Sequence, residues 1–420
     1  MTTSKILRSL SCWAVVTCLL SACPAFASTE TVLYDFTGNP DGANPMDSLV
    51  FDSSGNLYGT TSDGGSAFAG DAFELSPNGS GGWNYSVIYT FTDCNIACYP
   101  RGPLTVDGAG NLYGAAGIGG PNNNGTVFKL TPADGSWSLT ALYSFGAYGS
   151  GDGFAPNGVV YFKGGLYGTS DGGKYGCGTV FSVTPNPAGG WSESVLHNFR
   201  SNFVDGCGPM GGLTLDAKGN IYGTTSQGGS SDAGTVFELT LSRKGTWNWH
   251  ILHSFNVVDG LSPWFGSLIF DQKGNLYGTT SEGGSGFGTV FELTRSGNTW
   301  TETVLHNFAG GKDGANPNAG VSIDSLGRLY GMTPLGGGRG VCTNPQSNDN
   351  LYCGTAFLLT PSQSGAWTES FLHRFADRAD GGRPTATVVL DGNDNVYGVA
   401  GYGGTTPYGV VFELSHSPRK

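Results

Sequence analysis

A five-residue phrase, Gly-Asn-Leu-Tyr-Gly at 55–59, recurs with light variation at 110–114, 164–168, 219–223, 274–278, 327–331 and 394–398. Its tyrosines (Tyr58, Tyr113, Tyr167, Tyr222, Tyr277, Tyr330 and Tyr397) are spaced about 55 residues apart, with a longer last interval. A period of that size belongs to stacked supersecondary units, not to independent domains. Each unit contains four strand-like runs, clearest in the fourth: Gly212–Asp216 (strand A), Asn220–Thr225 (B), Gly234–Thr240 (C) and Trp247–Phe255 (D). These runs are rich in β-branched and aromatic residues and bounded by Gly, Asn, Asp, Ser and Pro, which is the strand-and-turn signature. The A–B turn, Asp216-Ala-Lys-Gly219-Asn220, has an acceptor for backbone N–H groups followed by residues that tolerate positive φ.

Seven four-stranded units predict an all-β fold, a seven-bladed β-propeller. The chain ends test this expectation. The seventh unit has A (Thr387–Asp391), B (Asn395–Ala400) and C (Gly409–Leu414) but no D. The D-like run stands at the other end, where Thr31-Val-Leu-Tyr-Asp-Phe36 and Asp41-Gly-Ala-Asn-Pro45 parallel Thr303–Phe308 and Asp313–Pro317. An N-terminal strand that completes the last blade would close the ring and remove exposed sheet edges. Residues 28–420 are therefore expected to form one propeller domain of seven repeats.

Residues 1–27 read as a signal peptide: Lys5 and Arg8 form a basic start, Trp13–Leu20 an apolar core too short to span a bilayer, and Pro24-Ala-Phe-Ala27 a small-residue cleavage site. Leu20-Ser-Ala-Cys23 offers the alternative of a lipoprotein acylated at Cys23. Secretion, to the cell surface or periplasm, is expected either way. Removing the leader takes the net charge from −12 to −14, which disfavours nucleic acid as a partner because phosphate tracking needs clustered Lys and Arg. No other apolar run is long enough for a membrane span, and a monomer is expected. Six cysteines remain after the leader, Cys94, Cys98, Cys177, Cys207, Cys342 and Cys353. An even number in an oxidising compartment points to disulfides. B–C and D–A connections emerge on one face of such a ring. Cys177 and Cys207 can meet there, while Cys94 and Cys98 share one loop, as do Cys342 and Cys353. Their spacings lack the paired thiolate knuckles of zinc sites, so no metal and no cofactor is expected.

Repetition also serves as an internal control, since a residue found in every blade is first explained by structure. His197, His253, His306 and His373 share a strand D slot that Tyr34, Tyr89 and Tyr143 fill elsewhere. Equivalent slots diverge around the axis, so these imidazoles cannot converge on one metal or substrate. The strand C glutamates (Glu74, Glu238, Glu292, Glu413), the A–B turn aspartates and the strand D tryptophans read as structural by the same logic. Asp-Gly-x-x-Pro in the D–A loops, with Asp41, Asp152, Asp205, Asp259, Asp313 and Asp380, has two readings: a turn cap followed by a Pro that sets the path into strand A, or a rim of acceptors on the ring. One blade breaks the motif with Ile96-Ala-Cys98-Tyr99-Pro-Arg101. Trp264 is the lone tryptophan after the leader outside a strand D, and Tyr175 and an insertion at 338–353 fall on the same face. Aromatic faces among Asn, Asp and Arg suit sugar rings, which makes Trp264, Tyr99, Arg101, Tyr175, Asp205, Asp259 and Asp313 the candidate ligand-binding residues; no catalytic residue is singled out.

The unit Gly-Asn-Leu-Tyr-Gly-Thr-Thr-Ser-x-Gly-Gly, with Gly-Thr-Val-Phe-Glu-Leu-Thr, Val-Leu-His-x-Phe and Asp-Gly-x-x-Pro, resembles the GloVer tandem repeat of bacterial exported proteins, and is similar in part to NHL and kelch propeller repeats. The resemblance implies an exported protein and supplies no catalytic residues. Members often end in a sorting anchor, whereas this chain ends at Lys420 soon after strand C. The function expected is a secreted or cell-surface binding module for a glycan or protein on the B–C and D–A face. The alternative is a carbohydrate-active enzyme, a hydrolase or lyase, using carboxylates there.

Overall fold

The computed structural model describes residues 28–200, 204–297, 299–338, 342–343, 350–351 and 353–416. The expected leader at 1–27 lies outside these residues, as does most of the insertion at 338–353. The described chain forms seven four-stranded antiparallel sheets, each a meander in chain order, so the ring has seven blades. The N-terminal strand Ser28–Asp35 pairs antiparallel with Val410–His416 and supplies the last blade's strand D. The ring is thus closed as the repeat predicts.

The same three contacts recur around the ring, the first and third between blades and the second between strands B and C of one blade. The phenylalanine that ends strand D packs against the central phenylalanine of strand C in the following blade. These pairs run from Phe36–Phe73 around to Phe375–Phe412 with centroids 5.0–5.6 Å apart. All fourteen rings are fully buried. Burying each contributes on the order of 2–3 kcal/mol. Second, the glycine after each repeat tyrosine leaves room for that strand C ring. A Cβ on Gly59 would lie 2.5 Å from Phe73 Cζ, and one on Gly331 2.4 Å from Phe357 Cζ. Third, the proline of Asp-Gly-x-x-Pro sits on the positive-φ glycine that opens strand C of the preceding blade. Added Cβ atoms at Gly125, Gly178 and Gly409 would lie 2.5, 2.3 and 2.7 Å from Cδ of Pro156, Pro209 and Pro45. The core is consequently a chain of inter-blade clusters rather than one mass.

The A–B turns behave as the sequence implies. Asp216 accepts hydrogen bonds from the Lys218 and Asn220 N–H groups and from the Asn220 side chain, and Asp52, Asp271 and Asp391 make the same set. The strand C glutamates accept from the repeat tyrosines, as in Tyr222 Oη to Glu238 Oε1 at 2.6 Å. Strand D tryptophans pack on repeat tyrosines of the preceding blade, Trp83 on Tyr397 at 5.8 Å and Trp137 on Tyr58 at 5.9 Å.

Strand A is shorter than the sequence indicates. In the fourth blade it is Thr214–Leu215, not 212–216. Before it the chain runs at the axis, where glycines bring adjacent blades together: a Cβ on Gly266 would lie 2.6 Å from the Gly320 nitrogen. Two disulfides match the expected pairing, Cys94–Cys98 and Cys177–Cys207 with Cα atoms 4.9 and 4.6 Å apart. Cys353 is also disulfide-bonded, and the side chain of Cys342, its expected partner, lies outside the description.

Candidate functional site

The B–C and D–A loops do share a face. Backbone bridges join them within a blade at Ala43–Asp63, Phe154–Asp171, Cys207–Gln227, Leu261–Glu282, Ala315–Leu335 and Gly382–Tyr402. The second blade replaces the bridge with a longer strand A, Cys98–Val106, which runs beside Leu112–Ile118. On this face each chain turns inward after the motif proline, and the next residue meets the axis: Met46, Arg101, Asn157, Met210, Trp264, Asn318 and Thr385. Side chains from all seven blades line one cavity of 310 Å³, which must therefore lie on the axis. A second cavity of 390 Å³ adjoins it, sharing Met46, Asn318 and Thr385 and adding Trp264, Arg383 and Tyr402.

No two of the seven side chains after the prolines repeat except Met and Asn, so the channel mouth is chemically asymmetric although its backbone is regular. Trp264 is 37% exposed; its indole N–H points at Met210 Sδ at 2.8 Å and its ring stacks on Phe265 with centroids 5.5 Å apart. Arg101 reaches across to Asp171 of the third blade at 3.6 Å. Asn157 is buried, donates from Nδ2 to the Pro209 carbonyl at 3.3 Å, and leaves Oδ1 without a partner. Asp47 is the acid that lines this cavity, two residues past Pro45, where the remaining blades have Gly102, Gly158, Gly211, Phe265, Ala319 and Ala386. Burial pushes its carboxyl up to about 6, against the Gly102 N–H, the Thr60 hydroxyl and the positive charge of Arg101. Asp171 is also raised by burial, with Arg101 opposing.

Of the residues singled out from the sequence, Trp264 and Arg101 line these cavities. Tyr99 is 39% and Tyr175 42% exposed, the latter under the Lys174 ammonium at 5.2 Å, and neither is among the lining residues. Asp205, Asp259 and Asp313 fold back onto strand D instead, receiving the backbone N–H groups of Arg200, Asn256 and Ala309 at 3.1, 2.8 and 2.7 Å. Asp47, Asp171, Asn157 and Asn318 are missed by the sequence reading. Their signal is present all the same: aligning the repeats on the motif proline isolates Asp47 as a unique acid. A larger cavity of 540 Å³ lies between the A–B turns of the fifth and sixth blades. Its Asp271, Asn275 and Asp324 are turn residues that recur in most of the repeats, so its polarity is explained by the fold.

The folded-back aspartates instead mark the outer seams between blades. At the seams that carry the motif, the strand D slot residue, the motif aspartate, and the third residue of the next blade's strand D come together. Between the third and fourth blades these are His197, Asp205 and Trp249: His197 Nε2 is hydrogen-bonded to Asp205 at 3.2 Å and Trp249 stacks on the imidazole at 4.3 Å. Between the second and third they are Tyr143, Asp152 and Glu193, with the Tyr143 hydroxyl donating to Asp152 at 2.6 Å. Burial, then the Asp152 charge, pushes the Glu193 carboxyl up to about 7. The following two seams hold His253, Asp259 and Glu302, and His306, Asp313 and Glu369. Burial holds both imidazoles below the ordinary histidine range, partly offset by the aspartates.

No curated protein matches the chain. Among solved structures, a putative 6-phosphogluconolactonase from Bacteroides uniformis ATCC 8492 is similar at TM-score 0.53 and 12% identity, over 86% of this chain and 98% of that one. A luciferin-regenerating enzyme is similar at TM-score 0.46 and 10% identity, over 93% and 96% of the two chains. At these identities the likeness extends to the fold alone. The model of the Gloeobacter/Verrucomicrobia repeat matches residues 23–173, 163–350 and 243–419, and so nearly the whole length. The chain belongs to the family of Gloeobacter/Verrucomicrobia repeat proteins.

Proposed function

We propose that this protein is an exported binding module whose ligand, a glycan, seats in the axial cavity on the B–C and D–A face. The observation that carries this reading is the break in symmetry. Seven near-identical loops converge on one 310 Å³ cavity, and the residues they present there are nearly all different. Phe265 there and Trp264 in the adjoining cavity offer an aromatic surface, while Arg101, Asn157, Asn318 and Asp47 offer donors and acceptors, the combination that sugar hydroxyls and ring faces use. Disulfides agree with an oxidising compartment, and the leader-like residues 1–27 support export. Among the described residues no helix is long and apolar enough to cross a membrane.

Glycan-array screening followed by calorimetry tests this. The expected outcome is a saturable hit whose affinity falls roughly tenfold or more in Trp264→Ala and in Asp47→Asn, since each loses a direct contact. Absence of any hit across a broad panel, or variants that bind like the wild type, would overturn it.

A second reading rests on the carboxyls themselves. Glycoside cleavage needs one carboxyl that is protonated near neutral pH and one that is ionised. Asp47, pushed up to about 6, lines that cavity beside Arg101, and Asp171 stands behind Arg101 at 3.6 Å. Product analysis of any glycan hit separates the two readings: turnover that vanishes in Asp47→Asn identifies an enzyme, and binding without products identifies a module.

A further inference from the structure

Among the described residues, two outer seams bring the donor atoms of an imidazole and two carboxyl groups within 4.8 Å of one another. His306 Nε2 lies 3.5 Å from Asp313 Oδ2 and 3.8 Å from Glu369 Oε1, and in the preceding seam His253 Nε2 lies 3.3 Å from Asp259 Oδ2. The candidate donor atoms of each trio, Glu302 included, all lie within 4.8 Å of one another. Neither imidazole Nε2 makes a hydrogen bond, nor does Oε1 of Glu302 or Glu369, although all four atoms are buried. The Glu369 side chain is only 10% exposed and faces His306. A buried carboxyl oxygen without a hydrogen-bond partner is costly, and a bound divalent cation would supply a partner.

We propose that His306, Asp313 and Glu369, and likewise His253, Asp259 and Glu302, each bind a divalent transition-metal ion of the zinc type at the blade seam. Bonds of about 2.0–2.2 Å from such an ion place tetrahedral donors about 3.3–3.5 Å apart. The His253–Asp259 and His306–Asp313 separations of 3.3 and 3.5 Å match that spacing, Glu369 stands at 3.8 Å from its imidazole, and Glu302 lies within 4.8 Å of its partners. One nitrogen and two oxygens is a donor set that borderline divalent metals accept. The aspartates are already oriented, Asp313 by the Ala309 N–H at 2.7 Å and Asp259 by the Asn256 amide at 2.6 Å, which is how outer partners fix metal ligands. Each ion would join strand D of one blade to strand D of the next. The other seams lack the set. Trp249 takes the glutamate's place beside His197, and Tyr143 takes the histidine's place beside Asp152. At the last of the histidine seams, His373 is hydrogen-bonded to Asp380 at 3.1 Å, and Glu30 does not join them in a metal-sized group.

The test is metal content of the full chain, stripped with chelator and then dialysed against micromolar Zn²⁺. The expected stoichiometry is two ions per chain, falling to one in Glu369→Gln and to none in the Glu302→Gln, Glu369→Gln double variant, with Glu193→Gln unchanged. Co²⁺ substitution should give visible d–d absorption that is lost in the same variants. These isosteric changes keep the seam packing, and circular dichroism confirms that each variant is folded. Failure of the stripped protein to take up Zn²⁺ or Co²⁺, or a double variant that still holds both ions, would overturn the proposal.

Discussion

The seams on either side of the fourth and fifth blades share a scaffold and differ in one residue. Between the third and fourth blades, His197 and Asp205 make a hydrogen bond beneath Trp249. Between the fifth and sixth, the equivalent His306 and Asp313 stand 3.5 Å apart without one, beside Glu369. The phenylalanines below them are alike, Phe199 on Phe237 at 5.6 Å and Phe308 on Phe357 at 5.3 Å. Packing of the blades is therefore conferred by the repeated ring pair. The third position of strand D decides whether the seam above it is an aromatic stack or a polar pocket.

Removing the shared part should cost most. Phe199→Ala and Phe308→Ala are each expected to destabilise by about 3–5 kcal/mol, because each empties a fully buried ring site. Calorimetric unfolding should show similar losses for both, and a gap of several kcal/mol would break the claim that the two seams share one frame. Exchanging the differing residue comes next. Trp249→Glu forfeits the stack and should cost about 2–4 kcal/mol in chelator. It also recreates the histidine–aspartate–glutamate set, so Zn²⁺ should restore part of the loss and raise the stoichiometry from two to three. If the count stays at two, the backbone spacing rather than the residue distinguishes the seams.

A smaller effect is expected from metal itself. Chelator should lower the melting temperature of the wild type by a few degrees and leave the Glu302→Gln, Glu369→Gln double variant unmoved, since a ligand stabilises only the state that binds it. Smaller still is the pH response of the seam that has tyrosine in place of histidine. The Glu193 carboxyl, at about 7 in the folded protein, lies above its unfolded value near 4.3. The folded state holds that proton more tightly, so the contribution to stability is complete below about 4.3 and is lost as pH rises through about 7. Melting curves from pH 4 to 8 should therefore fall more steeply for the wild type than for Glu193→Gln. Equal slopes would show that Glu193 titrates normally.

The same contrast separates what the repeats reveal from what they hide. The blade count, the ring closure by Ser28–Asp35, the turn role of Asp216 and the pairing of Cys177 with Cys207 are all readable from the chain, because each is a local pattern or follows from the order of strands. The reading of the strand D histidines was right in that they do not meet one another. It missed that each meets an aspartate from its own loop and, in two cases, a glutamate from the neighbouring blade. Trp-x-Glu at 191–193, 300–302 and 367–369 is visible in the sequence, yet nothing local says which histidine it will face.

The channel mouth shows the same division. Trp264 and Arg101 stand out as breaks in a repeat, whereas Asp47 draws notice only once it is seen to share a cavity wall with Arg101, Asn157 and Asn318. By itself the sequence determined the seven blades, their strands and turns, and how the ring closes, since these depend on short-range alternation, turn chemistry and repetition. Only the tertiary structure decided which side chains become neighbours across the axis and across the seams. Those contacts join residues tens to hundreds of positions apart, and their distances depend on how closely glycine, proline and phenylalanine let one blade approach the next.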